Sequence, residues 1–479
     1  MNAEIQVPAL GKGLRDWLFD QGLEFPCGGV AGCGGCKVRL VSGHIEVTES
    51  MREILTEEEL ASGWRLGCQA AANEPLVLEV EQWQAPVLSD HRPVPVEPRR
   101  GIGAVIDLGT TTIVVQIVDL RTGEILGVET ALNAQAAYGA DIMSRVEHAL
   151  RAPGELTQVI RAQLDNMLRA AAAGREIAET LIAGNTVMHH LCGGIDVTPL
   201  AAVPFRSPHL GAFEIRLCDA RATFLGCAGG FVGSDLLTGL VATGFDTAEE
   251  CQALMDLGTN GEIAVGNRHR ILVASTAAGP AFEAGRIRQG MRAMTGAIDR
   301  VECDNGNWQW HVIGGVPARG ICGSGLVDAI AAALQLGHLS AAGAIQQPDR
   351  QLHFGSTVAL TQRDVRELQL AKGAVAAGYH ILRTGQHPQR LWLAGAFGNY
   401  VRTTSAQRIG LLPSNGVPIE SAGNTALRGA RQLLLQPSRR EAVLAHLQSI
   451  IEHVELAALA EFTDSFVGQM PFPDPATIA

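Results

Sequence analysis

Short runs of alternating apolar and polar residues mark the start of the chain, where IQVPAL and VRLVSGHIEV read as short strands. TEEELASGW reads as a helix beginning at Thr56, with Thr56 and Glu59 spaced as a capping box. The regular period then fails: QAPVLSDHRPVPVEPRR carries four prolines in seventeen residues and reads as a stiffened linker. From Gly101 the pattern changes. GAVIDLGTTTIVVQIVDLRTGEILG predicts three strands joined by turns, and helices are expected to dominate about residues 139–180, among them the alanine-rich LRAAAAGREIAETL. ALMDLGTNGEIAVG is again a strand, a tight turn and a strand. Strands alternating with helices predict an α/β body, and the two similar units predict a duplication. SRREAVLAHLQSIIEHVELAALAEF opens with apolar residues recurring at three and four, so a helix packed on the body is expected there. The units expected are residues 1–83, a linker over 84–100, and two halves at 101–245 and 246–479.

Composition narrows the class. With 479 residues the chain has room for two to four domains and large cores, and 47% apolar with 18% charged residues fits a soluble enzyme. No amino-terminal run resembles a signal peptide and no stretch of about 18 uncharged apolar residues occurs, so a cytoplasmic protein without membrane association is expected. The net charge of −12 argues against nucleic acid, whose binding needs a basic stripe. About half of that charge lies in residues 1–83, as a solvated surface or as a docking face for a basic partner.

Cysteine spacing supplies the first chemistry. Cys27, Cys33, Cys36 and the distant Cys68 are separated by five, two and thirty-one residues, in the glycine-rich segment PCGGVAGCGGCKVRL and beyond it. Three thiolates from one short loop and one from afar suit a 2Fe-2S cluster, with a first gap one residue longer than the plant-type spacing. Glycines there let the backbone wrap the sulfides and aim amides at them. Zinc is the alternative for four thiolates, but its sites usually show two separated Cys-x-x-Cys pairs. Lys37 and Arg39 after the cysteines either tune a cluster's potential, meet a partner, or are simply solvated. Cys192, Cys218, Cys227, Cys251, Cys303 and Cys322 are scattered, as expected of buried thiols in a reducing compartment.

A second constellation is doubled. Asp107-Leu108-Gly109-Thr110-Thr111-Thr112 and Asp256-Leu257-Gly258-Thr259-Asn260-Gly261 are near-copies 149 residues apart, each at the end of an apolar strand. A strand-end aspartate can hold a magnesium-bound water or orient an attacking water, and the following amides and hydroxyls can cradle phosphate oxygens. Neither a Walker loop nor a dinucleotide GxGxxG is present. Asp107 and Asp256 are therefore the catalytic candidates, with Gly109, Thr110, Thr111, Gly258, Thr259, Asn260 and Gly261 as phosphate-holding residues. Asp235 and Glu283 are cleft candidates, or else a helix start and a surface charge. His189-His190 could invite a metal, but adjacent histidines point to different sides of a helix. Trp308 and Trp310 flank Gln309 just after the turn signal Asp304–Asn307 and read as a hairpin face rather than a cofactor stack.

These motifs resemble a known superfamily. The paired loops are similar to the phosphate motifs shared by sugar and acetate kinases, actin and heat-shock chaperone ATPases, which implies a duplicated actin-like, ribonuclease H-like fold. LWLAGAFGNY matches that superfamily's adenosine segment, implying that Gly395 and Gly398 contact the nucleoside; AGNT at 183–186 and GICGSG at 320–325 resemble its connecting helices. A 2Fe-2S domain ahead of this ATPase resembles the reductive activators of corrinoid proteins. That resemblance extends through NAQAAYGADIMSRVEHAL, GFVGSD, GPAFEAG, GNTAL and the ending FVGQMPFP. It implies a ferredoxin-like β-grasp domain, with ATP and Mg2+ as further ligands. It also implies return of a cobalt(II) corrinoid to cobalt(I), an external low-potential electron donor, and a homodimer. The chain looks shorter than large members, with a brief linker where they carry extra linker and middle regions. Transfer from a plant-type cluster near −400 mV to a lower cobalt couple would run uphill, each 59 mV costing tenfold in equilibrium constant. ATP-driven closure of the cleft around Asp107 and Asp256 could move the docked partner and offset that gap. The residues leave three other readings open: an ATP-gated donor to another low-potential acceptor, a small-molecule kinase with a redox sensor, and a redox-responsive scaffold.

Overall fold

The computed structural model describes residues 2–20, 31, 36–81, 90–139, 141–203, 205–258, 260–304 and 306–474. Cys27, Cys33 and Thr259 lie outside the described residues. The amino-terminal unit contains β1 (Asn2–Val7), α1 (Arg15–Asp20), β2 (Lys37–Ser42), α2 (Glu49–Ile54), α3 (Glu57–Ala61), β3 (Trp64–Leu66) and β4 (Leu76–Glu81). Its strands form one sheet in the order β1-β4-β2-β3, closed over a core of Leu14, Leu18, Val38, Met51, Leu66 and Leu78. Thr56 caps α3 reciprocally with Glu59, so the sequence signal is realised. The second half of VRLVSGHIEV is not a strand; Ile45 is buried, and its carbonyl accepts from Arg65 Nε at 3.2 Å.

The first half of the body holds β5 (Ile102–Leu108), β6 (Thr112–Asp119), β7 (Ile125–Leu132), a 3-10 turn (Ala134–Ala137), α4 (Ile142–Arg151), α5 (Glu155–Ala172), β8 (Ile177–Gly184), α6 (Thr186–Gly193), β9 (Phe213–Leu217), β10 (Ala220–Phe224) and α7 (Ser234–Ala242). The expected helical run through LRAAAAGREIAETL stops early. Ala173 and Gly174 are left-handed, at φ 49° and 83°, and the following residues are β8, a buried strand parallel to β5.

The second half holds β11 (Gln252–Leu257), β12 (Gly261–Asn267), β13 (Arg270–Thr276), β14 (Ala297–Asp304), β15 (Asn307–Val312), β16 (Gly320–Ile321), α8 (Gly323–Gln335), β17 (Gln351–Phe354), β18 (Val358–Thr361), α9 (Gln362–Leu382), β19 (Leu391–Ala394), α10 (Gly395–Tyr400), α11 (Thr403–Arg408), β20 (Ile419–Gly423), α12 (Thr425–Leu435), α13 (Pro437–Ile450), β21 (Ile451–His453) and α14 (Ala460–Gln469). The duplication is explicit in the sheets: β7-β6-β5-β8-β10 matches β13-β12-β11-β19-β20, each an antiparallel meander extended by parallel strands. An edge strand is added to each, β9 to the first and β21 to the second.

Two helices tie the halves together. α7, from the first half, buries Leu236, Leu237 and Leu240 with Leu254, Ala264 and Val273 of the second sheet. α12, from the second half, buries Leu427, Ala430 and Leu434 with Val105, Val114 and Leu181 of the first. The Pro-rich segment is also partly fixed. Asp90 is buried between Arg428 (3.2 Å) and Arg431 (3.5 Å), Gln116 Nε2 donates to its carbonyl, and Val94 and Val96 pack beside α12. Paired guanidinium groups are what permit a carboxylate to be buried there. Residues 90–100 are therefore bound chain rather than a free spacer. Trp308 and Trp310 do form a hairpin face, with Trp308 stacked on Phe354 at 4.8 Å. α14 lies along α9, where Lys372 Nζ donates to Pro471 O at 2.6 Å.

Candidate functional site: a carboxylate-lined cleft and a thiol site

Asp107 and Asp256 occupy equivalent places, one residue from the ends of the central strands β5 and β11. Asp107 lies level with Ala183 of β8, Asp256 level with Ala394 of β19, and both neighbouring strands run on into a glycine and a new helix. Between the two sheets is a cavity of about 310 Å3. Asp107, Gly109, Thr110, Thr111, Gly258, Asn260 and Gly395 line it, as do Asp235 and Glu283, so most of the residues chosen from sequence converge. Gly261 and Gly398 do not line it. Gly261 opens β12 and packs under Thr276 and Val375, and Gly398 faces Leu393 inside α10; both allow close packing of the walls. Gly395, at φ +82°, is needed as glycine, since a Cβ there would lie 2.5 Å from Asp256 Oδ1.

Opposite charges meet at this cavity. Among the described residues, five helices begin at its wall, through Asn185 (α6), Asp235 (α7), Gly323 (α8), Gly395 (α10) and Asn424 (α12). Their amide ends favour an anion. Asp107, Asp235, Asp256 and Glu262 favour a cation. Burial first, then neighbouring carboxylates, push Asp235 and Asp256 up to about 7 and Glu262 well above the usual range. Asp107 rises to about 6, with burial opposed by a hydrogen bond from Asn424. No three His, Cys, Asp or Glu side chains among the described residues are placed to ligate one metal directly. The lining also has apolar members: Phe282 and Phe397, which stack at 4.8 Å, and Met291 and Tyr400.

Three asparagines hold the first loop, and each divides its amide between two tasks. Asn133 Oδ1 accepts from Gln135 N at 3.0 Å while Nδ2 donates to Gly109 O at 2.9 Å. Asn185 Oδ1 caps α6 through Met188 N (3.0 Å) and Nδ2 donates to Thr110 Oγ1 (2.9 Å). Asn424 Oδ1 caps α12 through Leu427 N (2.9 Å) and Nδ2 donates to Asp107 Oδ2 (2.8 Å). Aspartate could keep the cap but cannot donate. We therefore expect Asn185→Asp to weaken binding of a phosphate-bearing ligand with little change in melting temperature, whereas Asn185→Ala also loses a cap worth about 0.5–2 kcal/mol; ligand titrations and thermal melts on the same preparations check this. Glu262, Phe282, Phe397 and Asn133 were not singled out from sequence. The one available signal for Glu262 was strand alternation, which puts it directly across from Asp256.

In the amino-terminal unit, β2 and β3 pair with Lys37 level with Leu66, and Gly67 N donates to Cys36 O at 2.9 Å. This ladder brings Cys68 and the buried Cys36, with thirty-one residues between them in sequence, to the same end of the β2–β3 pair. Thiolates are the ordinary ligands of an iron–sulfur cluster, so the donor chemistry of these two cysteines fits one. Lys37 is committed to Glu59, at 2.5 Å, and Arg39 to Glu79. His189 and His190 are buried and hold Gly211 O (3.0 Å) and Ser207 Oγ (2.6 Å). Both rings lie in the buried interior of the first half, where His189 also packs edge-on against Phe213 and Phe224.

Comparison with known proteins adds the family. Residues 2–73 match the 2Fe-2S iron-sulfur cluster binding domain, 102–248 the RACo middle region, and 250–478 the C-terminal domain of RACo, the ASKHA domain. Corrinoid activation enzyme RamQ of Eubacterium limosum is 34% identical over 421 residues, covering 78% of this chain and 70% of that protein. The chain belongs to the family of reductive activators of corrinoid proteins. In this family of activators, the [Co(II) methylated amine-specific corrinoid protein] reductase of Methanosarcina barkeri is 27% identical over 77% of each chain. A solved structure, the reductive activator for corrinoid, iron-sulfur protein, superposes with a TM-score of 0.69 at 25% identity, covering 98% of this chain and 96% of that one. One expectation is corrected: the activators' middle region is present here, and it is the first half of the duplicated ATPase body. A fold of two similar lobes hid it, because residues 102–248 read as part of the ATPase rather than as a region of their own. No helix among the described residues is long and apolar enough to cross a membrane.

Proposed function

We propose that this protein is an ATP-dependent reductive activator, which delivers one electron to the cobalt(II) corrinoid of a partner protein and returns it to cobalt(I) for methyl transfer. The observation that carries the reading is the joining of a thiol site in the amino-terminal unit to a cavity built for a cation and an anion together. A bound 2Fe-2S cluster supplies one-electron transfer at low potential. Cys27, Cys33, Cys36 and Cys68 hold it. In the cavity, the helix starts and the loop residues Gly109, Thr110, Thr111, Gly258 and Asn260 take the phosphates, and the Phe282–Phe397 side takes the base. Asp107 and Asp256 orient magnesium-bound water or the attacking water, assisted by Asp235 and Glu262. The units are 1–83, 84–100, 101–245 and 246–479, in a cytoplasmic homodimer served by an external low-potential donor.

Raised carboxyl pKa values give a signed pH effect. Groups titrating at about 6 and about 7 when folded, but lower when unfolded, bind more protons in the folded state, so nucleotide-free stability falls as pH rises through that window. A bound magnesium ion needs the ionised forms. Binding of Mg-ATP is expected to release protons between about pH 5.5 and 7.5, seen as a buffer-dependent heat in calorimetry. To test the function, the reduced protein is mixed anaerobically with a cobalt(II) corrinoid protein, and the cobalt(I) absorption band is followed. Growth of the band only when ATP is present supports the activator; no band with any corrinoid protein and ATP refutes it.

A further inference from the structure

We infer that the amino-terminal redox domain is seated across the cleft by contacts on both halves of the ATPase, so that nucleotide occupancy controls whether it stays seated. The inference rests on the reading of the cavity as a nucleotide site.

On the first half, Arg15 Nη2 donates to Ala137 O at 2.8 Å. Ala137 ends the 3-10 turn whose cap, Asn133, holds Gly109 O through its side chain and Thr111 O through its own N–H at 2.8 Å. One turn of chain thus joins the redox domain to the first phosphate loop. Fully buried Arg145 steadies its far end, with Nε donating to Gly139 O at 2.9 Å. This gives a task to NAQAAYGADIMSR, a segment that the cavity chemistry leaves unexplained.

On the second half, the Arg319 guanidinium lies 5.2 Å from the centre of the Trp64 ring. Arg319 N is tied to Gly296 O at 2.9 Å, and the next residues are β16 and then Cys322, Gly323 and Ser324 in the cavity wall. Arg15 and Trp64 belong to one packed domain: Leu14 and Leu66 flank them in its core. A rigid body touching both halves cannot keep both contacts when the halves move relative to each other. It also cannot stray far when it lets go. The nine steps from Glu81 to Asp90 span at most about 30 Å, and Asp90 is pinned to α12 by Arg428 and Arg431, beside the helices that join the halves. Seating is thus a switch between a held and a tethered domain, which is what a carrier that must meet both a donor and an acceptor requires.

The test is radiolytic hydroxyl-radical footprinting of the full-length, cluster-loaded protein, reading oxidation of Trp64 and Tyr138 by mass spectrometry with and without Mg-AMPPNP. Calorimetry on the same sample reports nucleotide binding. We expect the Trp64 oxidation rate to change several-fold on nucleotide binding. In Arg15→Ala and Arg319→Gln it should be high and insensitive to nucleotide, while both variants keep wild-type ATP affinity. Nucleotide bound with no change at Trp64 in the wild type overturns the inference, as does a wild-type response in both variants. Absence of nucleotide binding in the wild type overturns instead the reading on which the inference stands, and the inference falls with it.

Discussion

Asp256→Asn should lower ATP turnover by roughly 10²–10³-fold while leaving the nucleotide-free protein as stable as wild type. The two halves of that expectation have one origin. Asp256 is half-buried in the cavity wall, level with Ala394 and across from Glu262, and its pKa is pushed up to about 7 by burial and by Asp235 and Asp107. Near neutral pH without ligand it is substantially protonated, and an amide is close to that form in shape and charge. Folding loses little. In the proposed role, however, Asp256 must present a negative oxygen to the metal-bound nucleotide, and an amide would not supply it. ADP release and thermal melts on one preparation check both halves. A large fall in melting temperature would show that Asp256 holds the fold rather than the ligand. Gly395→Ala makes the contrast, because a Cβ there would strike Asp256 Oδ1 and distort the same site from behind.

Cys68→Ser should lose most of the bound iron and sulfide, together with corrinoid reduction, while binding of Mg-ATP stays at the wild-type level. Cys68 reaches the site only through the β2–β3 ladder and is half-buried, so serine should fit without unfolding the domain. Oxygen is a poor substitute for thiolate on iron. Cys322→Ser is the control: Cys322 lies in the cavity wall, 3.3 Å from Ser324 Oγ, and its loss should leave iron content unchanged. Metal analysis and visible absorption distinguish the two. Full iron retention in Cys68→Ser would remove it from the ligand set.

Much of this architecture was legible because local patterns and distant partners agreed. Asp107 and Asp256 could be found from two near-identical strand ends, and the capping box at Thr56 from a spacing of three. The failures have physical causes. The strand Ile177–Gly184 was hidden in an alanine-rich run, because a strand buried on both faces loses the alternation that marks a half-exposed one. The anchoring of residues 90–100 depends on Arg428 and Arg431, more than three hundred residues away, which no local pattern reports. Gly261 and Gly398 were over-read. They sit beside the right loops but face inward, and facing is set by strand pairing and helix packing rather than by the motif. The asparagine triad was missed as a set: each member looks like an ordinary helix cap until the fold brings their amide nitrogens to one loop.

The central claim is that nucleotide chemistry in the cleft drives electron delivery from the same chain. Its most direct test is a single-turnover experiment on the dithionite-reduced protein with a cobalt(II) corrinoid protein, recording ADP formed and cobalt(I) formed in the same sample. We predict that the two products appear together, in a fixed ratio, and that both are lost in Asp256→Asn. Cobalt(I) formed at full yield without ATP, or ADP formed at the same rate whether or not cobalt is reduced, would contradict it.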